Sequence, residues 1–303
     1  MAMRVVLTGA NGAIGREVLR LALAEPVEIV AAVRSERAER QLPPLPEGRG
    51  RVARIDYGSP ESLRVAFEGA RALIHLPGVL VERAGSSYEL SNVATTRVAL
   101  EAARVCGLEK VVLVSAVGAD PSSRNRYFRT KGEAEQIVQA SGLTYTILRA
   151  PLVLGPGTEG SQALTRNTRG SAWLLGGGKH LQQPLDVKDL ALATLRSALQ
   201  AELARNRSLD LAGPERLPER ELIQRAARLL GREARIRSIP IVPLRWLLAL
   251  RTRLLGPGLS PDALEVIVAD THVDAMPAAK ELGLSLSPLE LTLRRSLEPP
   301  EPT

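Results

Sequence analysis

Residues 4–15 read RVVLTGANGAIG, a short apolar run that leads directly into three glycines spaced three residues apart. The spacing predicts a tight turn at Gly9 after an apolar strand. Gly12 has no side chain, so a pyrophosphate can approach the backbone there. Gly15 lets the following helix pack closely, so that its N-terminal amides face the phosphates. A plain structural turn is the alternative, because glycine-rich turns are common. The position between a strand and a helix-like run, residues 16–24, favours a dinucleotide site.

Strand-like and helix-like runs alternate through the first half of the chain. Six apolar runs are typical of buried strands: Val5–Leu7, Ile29–Val33, Val52–Ile55, Ala72–Leu76, Val111–Val114 and Thr144–Leu148. The helix-like stretches between them are Arg16–Ala24, Glu61–Phe67, Asn92–Val105 and Gly132–Ala140. Short buried strands that alternate with helices predict an α/β fold with a doubly wound parallel sheet of the Rossmann type.

The alternation of strand-like and helix-like runs stops after Leu154, where a glycine-rich stretch begins that extends to residue 178. A helix from Lys188 to Leu203 then returns to the sheet. We therefore expect a dinucleotide-binding domain and a small discontinuous C-terminal substrate lid. The expected domain comprises residues 1–154 and 186–205, and the expected lid comprises residues 155–185 and 206–303.

The composition of the 303-residue chain is that of an ordinary globular protein, with 45% hydrophobic and 24% charged residues. Its net charge of +7 raises the question of nucleic-acid binding, but the arginines are dispersed and aromatic residues make up only 3%. We expect no nucleic-acid partner, because single-stranded nucleic acids are bound on aromatic platforms. The chain enters its first strand at once and no apolar stretch reaches membrane-spanning length, so we expect a cytoplasmic protein.

Cys106 is the single cysteine, which permits neither an intrachain disulfide nor a zinc cluster of cysteines. His180 and His272 have no partner at metal-ligand spacing. We therefore expect no metal site.

The ends of the second and third predicted strands are where a dinucleotide's adenosine is expected. An acidic residue there suits a ribose 2′-hydroxyl, whereas a cation suits a 2′-phosphate. Arg34 follows the second strand and no acid occurs until Glu36, which favours NADP(H) over NAD(H). Asp56, after the third strand, suits either a hydrogen bond from the adenine amino group or a cap of the helix that begins near Ser59.

A second group of residues follows the fifth predicted strand, which delivers Ser115 at its carboxyl end. Tyr127 and Lys131 are four residues apart and share one face of a helix. The lysine ammonium is expected to favour the phenolate form of the tyrosine, which suits it to proton transfer near neutral pH. Ser115 would hydrogen-bond a substrate carbonyl and hold it against a nicotinamide.

These features together resemble the extended and atypical short-chain dehydrogenase/reductase superfamily over nearly the whole chain. The motifs that carry the resemblance are Thr8–Gly15, Asp56, Asn92–Thr96, Ser115, Tyr127 with Lys131, Ile147–Pro151, Gly155–Gly157, Gln183–Ala191, Leu211–Pro214 and Lys280–Gly283. The chain looks like a relative of the NAD-dependent epimerases and dehydratases, and it is most similar to the branch of the nucleotide-binding accessory subunit of respiratory complex I. Members of that branch carry an NAD(P) site, and several have lost the catalytic residues.

The resemblance implies roles for individual residues. Ser115 would bind the carbonyl, Tyr127 would act as acid or base, Lys131 would contact the nicotinamide ribose, and Asn92 would support a water relay. The implied cofactor contacts are Thr8, Gly9, Asn11, Gly12, Ala13, Ile14, Gly15, Arg34, Asp56, Tyr57, Leu76, Pro77, Lys131 and Pro151. Two departures from the family pattern, Ala150 and the turn at residues 75–78, affect the shape of the nicotinamide pocket.

Three functions are compatible with these residues. The favoured one is an NADPH-dependent oxidoreductase that transfers hydride to a carbonyl or quinone-like small molecule. The alternative is a non-catalytic NADPH-binding protein that serves as a redox sensor or as a structural partner of a membrane complex. A nucleotide-sugar epimerase or dehydratase is a third possibility with less support, since the expected lid contains no identifiable basic residues that would bind a diphosphate. The sequence leaves the oligomeric state open.

Residues 243–255 form an unusual basic and apolar run, PLRWLLALRTRLL. The pattern suits an interfacial helix on anionic lipid, and so a peripheral membrane contact. It also suits a lid helix that buries its leucine face against the Rossmann core, which is the interpretation the sequence favours.

Overall fold

The computed structural model describes residues 2–298 and contains a central seven-stranded sheet flanked by helices. The strands are β1 (Met3–Thr8), β2 (Val27–Val33), β3 (Gly50–Arg54), β4 (Ala72–His75), β5 (Lys110–Ala116), β6 (Thr144–Ala150), β7 (Val153–Leu154), β8 (Ser171–Leu175), β9 (Leu181–Gln182), β10 (Leu185–Asp186), β11 (Arg207–Asp210), β12 (Leu217–Pro218) and β13 (Arg235–Ile239). The α-helices are α1 (Ala13–Ala22), α2 (Glu36–Glu39), α3 (Pro60–Phe67), α4 (Thr95–Val105), α5 (Arg126–Gln139), α6 (Glu159–Asn167), α7 (Val187–Leu199), α8 (Glu219–Leu229), α9 (Ile241–Leu255), α10 (Pro261–Val268), α11 (Ala275–Glu281) and α12 (Leu289–Leu297).

The central sheet has the strand order β11-β6-β5-β4-β1-β2-β3, and every neighbouring pair is parallel. The chain moves outward from β1 to β3, then returns to the other side of β1 with β4. This reversal creates a switch point between β1 and β4, outside which α/β folds bind their ligands. The predicted doubly wound parallel sheet is confirmed.

The two faces of the sheet bury separate hydrophobic clusters. On one face, Val18 and Leu19 of α1 and Leu190 of α7 pack over the side chains of Val5 and Leu7. On the other face, residues of α3, α4 and α5 pack over the alternate side chains of the same strands. Burial on both faces explains why the strands are continuous apolar runs in the sequence.

The edge strand β11 differs from the expected domain division. Residues 207–210 pair with β6 in the central sheet, although the sequence placed everything after residue 205 in the lid. Ala278 and Leu282, on and just after α11, also join the hydrophobic cluster beneath α1 and α7. Both segments therefore belong to the sheet domain: β11 extends the sheet beyond β6, and Ala278 and Leu282 are buried in its hydrophobic cluster. A strand of four residues is too short for its sequence pattern to indicate this placement.

The remaining elements form an accessory layer with a hydrophobic cluster of its own. Its members come from α6, β8, α8 and α12 and include Leu164, Leu174, Leu222 and Leu293. Three two-stranded sheets, β7 with β10, β9 with β12, and β8 with β13, connect these helices.

Helix α9 does not bury its leucine face against the Rossmann core. Trp246, Leu247, Leu250 and Leu254 are all exposed, and Leu248 is the one buried residue of the helix. The favoured interpretation of this segment was therefore wrong. The leucines of this helix lie on several of its sides, so the sequence does not indicate which side packs against the protein. In the structure it is the side that carries Leu248.

Candidate functional site

The candidate site lies at the carboxyl ends of β1, β4 and β5, beside the switch point. Gly9 adopts a positive φ of 75°, and a Cβ there would lie 3.2 Å from Cβ of Leu76 and 3.4 Å from the nitrogen of Pro77. The first glycine therefore lets the turn after β1 touch the loop after β4. Thr8 stands at the end of β1, and Leu76 and Pro77 follow β4 directly.

The other two glycines bring α1 against this turn. A Cβ at Gly15 would overlap the carbonyl oxygens of Gly9 and Ala10, so only glycine fits. Gly12 is the N-cap of α1, no side chain caps the helix, and its first turn has no acidic residue. The backbone amides at Ala13 and Ile14 thus begin a helix whose partial positive charge is available to an anionic ligand.

Arg16 borders this cradle, and the sequence analysis did not single it out. Its Nη1 donates to the carbonyl oxygen of Asn11 at 2.6 Å, and its Nη2 would lie 2.5 Å from a Cβ at Gly157. The guanidinium therefore reaches from α1 to the glycine-rich turn after β7. The Asn11 side chain turns to Gln41, with 3.1 Å between Nδ2 and Oε1.

The adenosine end of the site contains Arg34, Tyr57 and Asp56. Arg34 is exposed and lies one residue after β2. Burial raises the pKa of Tyr57 to about 12. A hydrogen bond with the Thr8 hydroxyl and the charge of Arg34 both act in the opposite direction. Tyr57 therefore lies near both Thr8 and Arg34, as a cofactor contact at this position needs to.

Asp56 neither caps α3 nor lies buried. Its Oδ1 accepts a hydrogen bond from the amide of Gly58 at 2.9 Å, which folds the loop before the helix. Ser59, the N-cap residue of α3, makes no side-chain cap hydrogen bond. The capping interpretation of Asp56 was wrong, and its exposed carboxylate remains on the surface of the adenosine end.

The nicotinamide end brings together Ser115, Asn92 and Lys131. Ser115, the penultimate residue of β5, is buried, and its Oγ has no hydrogen-bond partner. Asn92 donates through Nδ2 to Thr130 at 3.0 Å, and its buried Oδ1 also has no partner. Asn92 Oδ1 and Lys131 Nζ lie 3.1 Å and 2.8 Å from the Cβ position of Gly78, so both point towards the same space.

A π-helical segment, Glu89–Ala94, carries Asn92 at the start of α4. Such segments hold an extra residue in one turn and occur frequently at functional sites. The Oγ1 of Thr96 donates to the carbonyl oxygen of Asn92 at 2.5 Å and helps to hold the segment. Periodicity predicted an ordinary helix from Asn92 to Val105, so the π-helical turn that begins at Glu89 is a departure from the expectation.

Lys131 is buried beneath the loop that contains Gly78. Its Nζ donates to the carbonyl oxygen of Val114 at 3.4 Å. Burial lowers the pKa of this ammonium to about 8, and the nearby Glu135 opposes the shift. At neutral pH the side chain is therefore mostly a cation with donor capacity for a ligand.

Tyr127 occupies the first turn of α5. Asn125 caps the helix by accepting from the amides of Tyr127 and Phe128 at 3.0 and 3.3 Å. The Tyr127 ring lies edge-to-face with Tyr88 and with Phe128, at centroid distances of 5.7 and 5.6 Å. An aromatic cluster thus fixes the orientation of the phenol.

The expected phenolate is not favoured in this structure. Burial raises the pKa of Tyr127 above its usual range, the neighbouring Tyr88 raises it further, and Lys131 is not among the groups that lower it. The expectation rested on helical spacing alone. It was wrong because the buried aromatic surroundings dominate the hydroxyl, which stays protonated at neutral pH.

His75 links the two halves of the site. Its Nδ1 lies 2.8 Å from Oγ1 of Thr8, and its Nε2 lies 3.2 Å from Oγ1 of Thr96. Burial, with a smaller contribution from the charge of Lys131, lowers the pKa of the imidazole to about 3. The ring is therefore neutral and serves as a structural link.

The residues at both ends of the site fit a dinucleotide. Two buried polar atoms without partners, Ser115 Oγ and Asn92 Oδ1, need a ligand or water to satisfy them. The uncapped start of α1 suits a pyrophosphate, and Pro151 directly follows β6, the neighbour of β5.

Gly78 and Tyr88 are two further residues of the site, of which the sequence indicated only Gly78, as part of the turn at residues 75–78. Gly78 provides space for Lys131, and Tyr88 is fully buried with its hydroxyl donating to the carbonyl oxygen of Leu80 at 2.7 Å. The glycine at the turn after β4 was a usable signal. No local pattern indicates Tyr88, because its role depends on contact with α5.

Comparison with known proteins agrees with this geometry. Residues 9–172 match the family described as NAD(P)H-binding. The chain is similar to the photosystem II assembly factor Ycf39 of Cyanophora paradoxa, at 27% identity over 239 residues, which are 79% of this chain and 72% of that protein. It is also similar to an uncharacterized sugar epimerase of Bacillus subtilis, YhfK, at 30% identity over 217 residues, which are 69% of this chain and 94% of that protein.

Among solved structures, MoeE5 in complex with UDP-glucose and NAD is similar in fold. The TM-score is 0.74, the identity is 22%, and the alignment covers 97% of each chain. At this identity the likeness concerns the fold.

Proposed function

Because the chain belongs to the NAD(P)H-binding family, we propose that it is an NADPH-dependent oxidoreductase of the short-chain dehydrogenase/reductase type. Its substrate in this proposal is a carbonyl or quinone-like small molecule. The observation that carries the proposal is the convergence of Asn92 Oδ1 and Lys131 Nζ beside Gly78, with the unpartnered hydroxyl of Ser115 at the end of β5.

NADPH supplies the hydride in such a reaction. Ser115 donates its hydroxyl hydrogen bond to the substrate oxygen and orients it, since this oxygen atom has no protein partner. Tyr127 is protonated at neutral pH and can deliver a proton to that oxygen as negative charge develops there. Lys131 contacts the ribose side of the site and places positive charge near the reacting oxygen, and the free Oδ1 of Asn92 can accept a hydrogen bond from the ligand or from a water.

The preference for NADPH is supported by Arg34, because a guanidinium matches a 2′-phosphate by charge and by forked geometry. The acid expected for binding a free 2′-hydroxyl does not directly follow β2 in the sequence. The first acidic residue there, Glu36, pairs with Arg40 in the short helix α2.

A non-catalytic NADPH-binding protein is the second candidate, and Tyr127 is the observation that favours it. Its phenol lies in an aromatic cluster that raises its pKa, without the activation that a catalytic tyrosine gains from a neighbouring lysine. The similarity to a photosystem II assembly factor is also compatible with a role in which binding matters and turnover does not.

The experiment that separates the two candidates compares Tyr127→Phe with Tyr145→Phe, a control at the opposite end of the sheet in β6. NADPH affinity is measured by titration, and NADPH consumption is followed with a panel of quinones, aldehydes and ketones. We expect both variants to bind NADPH within about twofold of the parent. Only Tyr127→Phe loses turnover, by about 10²- to 10⁴-fold, because it lacks the proton donor.

Full activity in Tyr127→Phe would remove this residue as the proton donor, without contradicting the reductase itself. Tight NADPH binding with no oxidation by any acceptor, and with no interconversion of added nucleotide sugars, would favour the non-catalytic candidate.

A further inference from the structure

Helix α9 exposes an apolar surface that the proposed reductase activity does not use. We define the α9 face as five exposed residues: Val242, Trp246, Leu247, Leu250 and Leu254. Trp246 is 76% exposed and Leu254 is 70% exposed. A contiguous group of five large apolar side chains is rarely exposed to water unless it forms a binding surface.

The five residues lie on one side of the helix. Residues 242, 246, 250 and 254 are each four positions apart and form a ridge, and Leu247 lies beside it. On the other side, Leu248 is buried, and α9 packs against α10. A surface helix normally turns its apolar side chains towards the core, so the α9 face lacks a partner within residues 2–298.

The charges around this helix indicate the partner. Residues 234–261 contain five arginines and no aspartate or glutamate. Two of the arginines, Arg245 and Arg253, are exposed on α9, and Arg235 and Arg237 are exposed on the preceding strand β13. A second copy of the same face would bring like charges together, which disfavours self-association. An anionic surface would be complementary.

The tryptophans of the chain add a second observation. There are two, and both are largely exposed: Trp246 on α9 and Trp173, 60% exposed, on β8. Trp173 is the register partner of Arg237 in the parallel pair β8 and β13. Exposed tryptophan beside arginine is typical of segments that lie at the headgroup level of a bilayer.

We propose that the α9 face inserts among the headgroups of an anionic lipid bilayer, with α9 parallel to the membrane plane. Among residues 2–298, no helix has both the length and the apolar composition that crossing a bilayer demands. The 15 residues of α9 fit a helix that lies on the surface. Binding would present the Rossmann site to substrates at or near the membrane.

Vesicle flotation with the full chain tests the proposal. We expect the protein to float with vesicles of phosphatidylcholine and phosphatidylglycerol at low salt, and to float at least tenfold less with pure phosphatidylcholine. Added salt should release it, because the arginine contribution is electrostatic. In a Trp173→Phe variant Trp246 is the only tryptophan, and its emission should shift to the blue when anionic vesicles are added.

Substitutions on the helix have matched controls on α3. Leu250→Glu should weaken binding at least tenfold, whereas Val65→Glu, at another exposed apolar residue, should not. The double change Arg245→Gln with Arg253→Gln should weaken binding to anionic vesicles about 25-fold, at about fivefold for each arginine. Arg64→Gln is the control for the loss of an exposed arginine. Circular dichroism shows whether each variant is folded.

Failure to float with either vesicle at low salt would overturn the proposal. Equal binding by folded Leu250→Glu and the parent would also overturn it. A dimer that Leu250→Glu converts to a monomer, without vesicle binding by the parent, would show that the α9 face serves a second copy instead.

Discussion

Arg34 forms no ion pair within residues 2–298 and lies near Tyr57 at the adenosine end of the site. We expect Arg34→Ala to remove most of the preference for NADPH over NADH, by about 1–3 kcal/mol, because a charge-assisted hydrogen bond to the 2′-phosphate is lost. Affinities of both nucleotides measured by calorimetric titration give this ratio directly.

Arg37 provides the control, since it is exposed three residues later in α2. Arg37→Ala should leave the ratio of the two affinities within about twofold of the parent. Equal affinities for NADPH and NADH in the parent protein would refute the NADPH assignment.

The role of an individual residue was predictable from the sequence where the backbone conformation requires that residue type. Gly9 has a positive φ that favours glycine, and Gly15 has backbone contacts that only glycine permits, so their spacing in the sequence carries the information. The environment of Tyr127 was not predictable, because it depends on Tyr88, which comes from a loop far from α5 in the chain. The pKa of a side chain follows from its three-dimensional surroundings, and spacing along a helix reports only one neighbour.

At the scale of elements, the start of α8 contains a half-buried carboxylate with one buried oxygen, Oε2 of Glu219. Glu219 Oε2 lies 3.5 Å from Nε2 of His180, and neither atom has a hydrogen-bond partner. Burial raises the pKa of Glu219 to about 7 and lowers the pKa of His180. A proton on the carboxyl group therefore stabilises the accessory layer.

The folded-state pKa of Glu219 lies above the ordinary glutamate value of 4.5. Its contribution to stability is fully present below pH 4.5 and is lost as the pH rises through 7, because the folded state then carries a buried charge. We expect the free energy of unfolding to fall by about 1–3 kcal/mol from this group across that window. In Glu219→Gln this part of the pH dependence should vanish.

Urea unfolding of the parent and of Glu219→Gln at several pH values measures the effect. Glu221→Gln is the control, since Glu221 is a partly exposed residue of the same helix that pairs with Arg225. If Glu219→Gln and the parent show the same pH profile, the carboxyl group titrates normally.

Elements of the central sheet followed from the sequence better than those outside it. Six strands are apolar runs because both faces of a parallel sheet are covered, and this leaves a continuous signal. The fourth strand was expected to include Leu76 but ends at His75, and β11 was placed in the wrong domain. Helix α9 was predictable as a helix, yet its exposed side was not, because its leucines lie on several sides of the helix.

At the scale of the whole molecule, α12 is attached to the sheet domain through one buried carboxylate. Asp186 caps α7 by accepting from the amide of Lys188 at 2.8 Å. Its other oxygen accepts from Thr292 and Arg295 of α12, each at 3.0 Å. The Asp186 side chain is fully buried, so its charge depends on these partners.

We expect Arg295→Met to lower the free energy of unfolding by about 2–4 kcal/mol, because it leaves the carboxylate buried and without its cation. The adjacent Arg294 is a matched control, since its pair with Glu290 is exposed. Arg294→Met should cost about 0–1 kcal/mol. Chemical denaturation compares the two variants, and equal losses would show that the buried pair contributes no more than a surface pair.

The contact between α1 and α7 has a consequence for the newly made chain. These helices pack side by side over the sheet although they occupy residues 13–22 and 187–199. While a ribosome synthesises the segment between β6 and α7, the apolar surface formed by α1 and the first six strands stays exposed, because α7 is not yet present to cover it. The nascent chain therefore passes through a stage in which it is prone to aggregation, and a gene truncated at residue 154 should yield an insoluble product.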